Sequence, residues 1–334
     1  MTNDTVEVAF MLRGVALVTG GAGFIGSHLA EALASLTEVE AVIVIDDLSN
    51  GSLENLKTCK RTGKLIFIHG DVRNEVLMRK VLNEYCVDYV FHHAARVSVS
   101  DSVRNPLMTE SVNVGGTLVV LRAAMDFDIK RLVLASSCVI YGEAKNLPIS
   151  EDEPPRPKSP YGVSKMTSEF YWMLAHELYG LKTVALRYFN VYGPRQKPGE
   201  YGGVISSFVS RAIRGLPPKI YGDGEQTRDF VHVSDVVQAN LLAASRSVAI
   251  GEVFNIGSGR EVTIKELADL VLRLTGLKKL KPEYGPPRPG DIRRSWANIE
   301  KAKRMLGFEP KTSLEKGIRE LIRLWQASRL QSHG

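Results

Sequence analysis

The segment Gly20-Gly21-Ala22-Gly23-Phe24-Ile25-Gly26 constrains the fold of this chain more than any other. It follows the β-branched run Val15 to Thr19 and opens an amphipathic stretch with Ile25, Leu29 and Leu33 on one face. A turn without side chains lets backbone N–H groups and a helix N-terminus approach a pyrophosphate, and the last glycine lets helix and strand pack closely. With 29 glycines in 334 residues, chance supplies about 0.2 such triplets per chain, before a strand in front and a helix behind are required. Gly20, Gly23, Phe24, Ile25 and Gly26 are therefore read as the phosphate cradle of a dinucleotide. About 20 residues on, a second β-branched run ends in Asp46-Asp47. A carboxylate there accepts hydrogen bonds from adenosine ribose hydroxyls and repels a 2′-phosphate, which favours NAD over NADP. Asp71 and Val72, at the end of a third run, are expected at the adenine edge.

From residue 15 to about 190, short apolar runs alternate with longer amphipathic stretches, the pattern of a parallel sheet covered by helices. Six strands are expected: Val15 to Thr19, Ala41 to Ile45, Leu65 to Ile68, Tyr89 to His92, Leu132 to Ala135 and Thr183 to Arg187. They predict an α/β doubly wound (Rossmann) domain over 13–190, to which later segments return, and a smaller mixed α/β substrate domain over 191–330, rich in Gly and Pro. The net charge of +6 is spread thinly and accompanies no nucleic-acid-binding motif, so a nucleic acid partner is not expected. No apolar run reaches the roughly 18 residues that cross a bilayer, and the start, with Asp4 and Glu7, lacks a signal peptide's basic residues, so a cytoplasmic protein is expected. Cys59, Cys86 and Cys138 are odd in number and widely separated, and with His92, His93 and His232 they form no metal-binding spacing.

Tyr161-Gly162-Val163-Ser164-Lys165 places a phenol and an ammonium four residues apart, on one helical face. Eleven tyrosines supply about 0.7 such pairs by chance, and Tyr141 with Lys145 is a second one. Context separates them. Tyr141 is followed by Gly142 and a Pro-rich loop, whereas Tyr161 follows Ser159-Pro160, a helix start, and an unbroken stretch runs to Tyr179 before Gly180. Tyr161 is read as the general base, its pKa of about 10 drawn toward neutrality by Lys165 and a positive nicotinamide. Ser137, at the C-terminal end of the fifth strand, would bridge the tyrosine and a substrate hydroxyl.

Gly20 to Gly26, Ser137-x-x-x-Tyr141-Gly142 and Tyr161-x-x-x-Lys165 resemble the extended short-chain dehydrogenase/reductases. Within that group the chain is similar to the NAD-dependent UDP-sugar 4-epimerases, and the likeness extends through Asn113-Val114-Gly115-Gly116-Thr117, Arg187-Tyr188-Phe189-Asn190, Tyr221-Gly222-Asp223-Gly224 and Arg288-Pro289-Gly290-Asp291. The resemblance implies that Ala94 and Ala95 line the nicotinamide ribose, that Asn50 approaches the cofactor, that Asn113 belongs to the cofactor site as part of the shell behind the catalytic group, and that Asn190, Arg228 and Arg288 hold the UDP diphosphate. It further implies Tyr221 near the uracil, Asp291 on the ribose and Ser295 beside the sugar C2 substituent. Sister enzymes that dehydrate or decarboxylate nucleotide sugars carry acidic residues directly after the catalytic hydroxyl, where this chain has Cys138 and Val139; uronate epimerases tend to have Thr at the position of Asn190. Reversible C4 epimerisation of UDP-glucose/UDP-galactose, with UDP-GlcNAc/UDP-GalNAc, is thus the expectation. A UDP-glucuronate 4-epimerase, a dehydratase and a non-catalytic NAD sensor are the alternatives. Relatives pair two long helices as a dimer, which implies a homodimer here through Phe170, Met173, Leu174 and Leu178.

Overall fold

The computed structural model describes residues 10–198, 203–288 and 290–331; Asp4, Glu7 and Pro289 lie outside the described residues. Seven parallel strands form the main sheet: β1 (Gly14–Thr19), β2 (Val39–Asp46), β3 (Leu65–His69), β4 (Tyr89–His92), β5 (Arg131–Ser137), β6 (Thr183–Tyr188) and β7 (Glu252–Ile256), in the order β7-β6-β5-β4-β1-β2-β3. All six expected strands are present. The seventh comes from the second half of the chain and pairs Val253 with Ala185 and Phe254 with Leu186 on β6. The strand order reverses between β1 and β4, and at such a switch point the loops diverge and leave a crevice at the carboxyl ends of the strands.

Both faces of the sheet are covered, which is why its strands read as continuous apolar runs. On one face, helices α1 (Phe24–Ser35) and α5 (Val233–Ser245) bury Leu29, Leu33, Val236 and Leu242 against Val18, Val44 and Leu186. On the other, α2 (Glu75–Glu84), α3 (Gly116–Ala124) and α4 (Pro160–Tyr179) bury Met78, Val120 and Trp172 against Leu17, Ile43 and Val90. Trp172 is wholly buried, donates its indole N–H to the Val184 carbonyl at 3.1 Å and stacks on His92 at 5.7 Å. Truncating a side chain so placed ordinarily costs about 3–5 kcal/mol.

Helix α4 begins and ends where its sequence signals stand. Ser159 caps it by accepting from the Gly162 N–H at 3.1 Å, Pro160 takes the first turn where no N–H is needed, and Gly180 closes it at φ +69°, a conformation costly for a side chain with a Cβ. A separate apolar core, built from the helices 204–212, 264–274 and 314–331 around Phe208, Leu267 and Leu321, supports the smaller layer over the crevice. Among the described residues no helix is long and apolar enough to cross a membrane.

Candidate active site

A cleft of about 1350 Å³ runs from the glycine turn past Ser137 and Tyr161 to Arg228, Arg288 and Ser295. Pockets for single small ligands are about 300–1,000 Å³, so this one has room for two ligands end to end.

At its first end the glycines are required by space as well as by backbone. A Cβ on Gly20 (φ +67°) would lie 2.7 Å from the Ala94 nitrogen, and one on Gly26 would lie 2.4 Å from the Gly20 carbonyl oxygen. Gly23 caps α1 without any side-chain hydrogen bond, so the first-turn N–H groups and the positive end of the helix face the cleft beside Phe24 and Ile25. Asp46, 7% exposed, accepts from the Ala22 N–H at 2.9 Å through Oδ2 and from the Leu48 N–H at 2.8 Å through Oδ1. Each oxygen keeps a second lone pair for a ligand hydroxyl. Burial raises the Asp46 pKa, and these two N–H donors oppose the rise. Asp47 is exposed and turned to Ser49; Asp71 also faces the cleft, but its carboxylate is engaged by Arg73 at 3.0 Å, which lowers its pKa, while Val72 packs against Gly116. Asn50, Ala94 and Ala95 complete this wall. The whole is a cradle that a dinucleotide fits, with a carboxylate where a ribose diol would lie.

Asn113 stands behind the catalytic group, as a shell residue does. It does not line the cleft. It sits 2% exposed in a π-helical turn (Ser111–Gly115), accepts from the Arg96 N–H at 2.7 Å, and donates to the Arg96 carbonyl at 3.0 Å and to Ser164 Oγ at 2.9 Å. It therefore clamps the cleft-lining segment after β4 to the helix that carries Tyr161, while Ala94 and Ala95 line the cleft itself.

Ser137, Tyr161 and Lys165 converge at the middle of the cleft. Ser137 ends β5, and its hydroxyl favours the phenolate form of Tyr161, but burial outweighs this and pushes Tyr161 up to about 12. Burial also pushes Lys165, 6% exposed, down to about 8. The expected drop of the phenol toward neutrality is thus not produced by the chain's own residues. A cationic ring brought against the phenol has the sign needed to reverse it. Tyr141 is fully buried, donates to Asn255 Oδ1 at 2.6 Å and accepts from Arg187 Nη1 at 2.7 Å; it is structural. His92 and His93 are pushed down to about 3 by burial and stay neutral, His92 bridging Thr19 and Thr117. Cys138 follows Ser137 with its thiol pushed up to about 12, so it carries no thiolate at neutral pH.

At the far end the arginines are not free in the way the sequence suggested. Arg228 pairs with Asp291 and donates to the Thr227 and Ile292 carbonyls at 2.6 Å. Arg288 stacks on the Tyr221 ring at 4.1 Å. All four line the cleft, with Asn190, which donates to the Asp229 carbonyl at 3.2 Å, and Ser295, 7% exposed. An anionic ligand at this end would exchange internal partners for its own oxygens. Sequence reasoning missed two buried acids. Asp229 orders the wall by accepting from the Ser258, Gly259 and Ala297 N–H groups at 2.7–3.1 Å, and nothing local in the sequence marks it. Glu169, paired with Arg187 at 2.6 Å, continues the four-residue spacing of Tyr161 and Lys165, a signal that could have found it. Among the described residues no cluster of three or more His, Cys, Asp or Glu could hold a metal ion.

Residues 17–321 match the family described as GDP-mannose 4,6 dehydratase. The fold matches that of UDP-glucose 4-epimerase from Thermotoga maritima, solved with UDP-glucose, at 42% identity and a TM-score of 0.89, covering 94% of this chain and 99% of that one. It matches UDP-N-acetylglucosamine 4-epimerase from Methanobrevibacter ruminantium, solved with UDP-N-acetylmuramic acid, at 38% identity and a TM-score of 0.88 over 95% and 100% of the two chains. A UDP-glucose 4-epimerase from Thermus thermophilus, solved with NAD, is 37% identical with a TM-score of 0.85 over 94% and 99%. A dinucleotide cradle ending in Asp46, a Ser137–Tyr161–Lys165 centre and near full-length similarity agree: the chain belongs to the NAD-dependent epimerase/dehydratase family.

Proposed function

We propose that the protein interconverts UDP-sugars at C4, both UDP-glucose with UDP-galactose and UDP-GlcNAc with UDP-GalNAc, using NAD that stays bound through the cycle. The observation that carries this reading is the middle of the cleft, where Ser137, Tyr161 and Lys165 stand together and the next two positions, Cys138 and Val139, offer no proton donor or acceptor at neutral pH. Dehydration needs an acid and a base at the sugar's C5 and C6, and this wall supplies neither. NAD held by the glycine turn and Asp46 would supply reversible hydride transfer at C4, which leaves the redox state unchanged over a cycle. Ser137 holds the 4-hydroxyl, and Tyr161 takes its proton as the 4-keto sugar forms and returns it when the sugar has turned over. Asn190, Arg228 and Arg288 hold the diphosphate, with Tyr221 and Asp291 at the nucleoside. Chromatographic separation of epimers after incubation with UDP-glucose and with UDP-GlcNAc tests the reading. Loss of water from either sugar would convert it to a dehydratase, turnover of UDP-glucuronate alone to a uronate epimerase, and no turnover to a sensor.

The N-acetyl part rests on Ser295, a small buried residue on the cleft wall. Relative to a bulky aromatic, a serine frees volume on the order of a hundred Å³, enough for an N-acetyl group, and its hydroxyl can donate to the acetyl carbonyl. Ser295→Tyr is expected to abolish turnover of UDP-GalNAc while UDP-galactose is still converted. A native enzyme active on UDP-galactose but inert toward UDP-GalNAc would show that another residue closes the pocket.

The same reading includes a homodimer. On α4, Phe170, Leu174 and Leu178 are 55%, 42% and 62% exposed, and Leu107 and Leu118 add to an apolar surface, whereas Met173 packs inward. Such a continuous face is a cost in water unless a second copy covers it. Light scattering is expected to give twice the chain mass of 36.9 kDa. A single-chain mass at micromolar concentration would rule out a stable dimer.

A further inference from the structure

Tyr161, Lys165 and Glu169 follow one another at four-residue intervals on α4, so all three lie on one helical face. Lys165 is 6% exposed and Glu169 2%. The groups that Lys165 acts on include His92 at the end of β4 and His93 directly after it, and burial keeps both imidazoles neutral; Tyr161, one turn earlier on the same helix, is likewise kept a neutral phenol by burial. Among the described residues, Glu169 is the carboxylate whose field reaches Lys165.

Glu169 is itself held rigidly. It accepts from Ser136 Oγ at 2.5 Å, from Arg187 Nη2 at 2.6 Å and from Arg187 Nε at 3.1 Å. The remaining terminal nitrogen of Arg187 donates to the Tyr141 hydroxyl at 2.7 Å and the Glu151 carbonyl at 2.9 Å. All three guanidinium nitrogens of Arg187 are thereby engaged, and Glu169 is the member of the pair that shares a helix face with the lysine. A buried ammonium with no anion nearby gives up its proton near neutral pH. A cation in the adjoining cofactor cradle would push it further the same way.

We propose that Glu169 is a positioning residue for the reaction, whose charge, held in place by Arg187, keeps Lys165 protonated at working pH. The inference rests on the reading of Tyr161 and Lys165 as the reacting centre, and it extends that centre one helical turn into the core.

The test is the pH dependence of kcat for NAD-loaded wild type and Glu169→Gln with UDP-glucose. If Glu169 holds the proton, the alkaline limb moves down by about one pH unit in the variant, because removal of a nearby opposite charge lowers a lysine pKa. The limb stays in place in Ser136→Ala, which leaves the carboxylate charge intact. An alkaline limb unmoved in Glu169→Gln would overturn the proposal even if stability fell, since a merely structural role costs stability without shifting a titration. The same shift is readable without substrate. The alkaline rise in unfolding free energy that belongs to Lys165 should begin at lower pH in Glu169→Gln and vanish in a Lys165→Met background, and an unshifted rise also overturns the proposal. No turnover by wild type would instead refute the epimerase reading and leave this second measurement to decide on Glu169. Should Glu169→Gln not fold, Glu169→Asp, which retracts the charge by one methylene, is expected to move the limb down by a few tenths of a unit, and an unmoved limb there counts against it.

Discussion

Tyr161→Phe is expected to lower kcat by at least about two orders of magnitude, the usual loss when a general base is removed, with UDP-sugar binding little changed. The phenol lines the cleft together with Ser137 and Lys165, and the proposed reaction assigns it the proton of the sugar hydroxyl. Phenylalanine keeps the ring and its packing, so the loss belongs to the oxygen. Tyr141→Phe is the comparison. That hydroxyl accepts from Arg187 and donates to Asn255 in the core, and Tyr141 does not line the cleft, so its removal strands two buried polar groups and costs stability of about 1–3 kcal/mol with a much smaller effect on kcat. Steady-state kinetics and urea unfolding of both variants separate the two effects. Equal losses of kcat would refute the assignment of Tyr161.

Lys165→Met is expected to move activity and stability in opposite directions. Activity falls by at least about two orders of magnitude because the charge beside the phenol is lost. The NAD-free protein gains roughly 3 kcal/mol at pH 7, since a drop of the lysine pKa from 10.5 to about 8 measures how strongly burial disfavours the ammonium. The pH dependence carries the sign. Below about pH 8 the lysine is protonated in both folded and unfolded chains, and the folded one bears the full penalty. Between about 8 and 10.5 the folded chain releases its proton first, so wild-type stability rises with pH and the advantage of methionine shrinks. Above 10.5 both forms are neutral and the lysine penalty is gone. Urea unfolding at pH 7 and at pH 10 reads this directly. A variant no more stable than wild type at pH 7 would mean that the ammonium is compensated more fully than its surroundings suggest. A stabilised but inactive protein is what a functional charge buried against its solvation preference produces.

What was legible in the sequence was local. The glycine turn, the Ser159 cap, Pro160, Gly180 and six β-branched runs each act within one turn or one strand, and the structure has them where the chain spells them out. β7 was not legible, because Glu252–Ile256 is five residues with a charged end, and only its place beside β6 makes it a strand of the main sheet. Asn113 could be assigned to the shell behind the catalytic group, but its partners could not be named, since they are the backbone of Arg96 and the hydroxyl of Ser164, 17 and 51 residues away. Likewise Arg228 and Asp291, 63 residues apart, read singly as two ligand contacts and fold into an ion pair.

The kinds of residue at the centre, a phenol, an ammonium and a hydroxyl beside a dinucleotide cradle, were determined by the sequence alone, because four-residue helical spacing and the end of a strand place such groups without help from distant parts of the chain. Their ionisation was decided only by the tertiary structure. How far the Tyr161 phenol is pushed up, how far the Lys165 ammonium is pushed down and which carboxylate faces it depend on water excluded by elements from across the chain. Desolvation and Coulomb fields act through space, and distance along the sequence carries no measure of either.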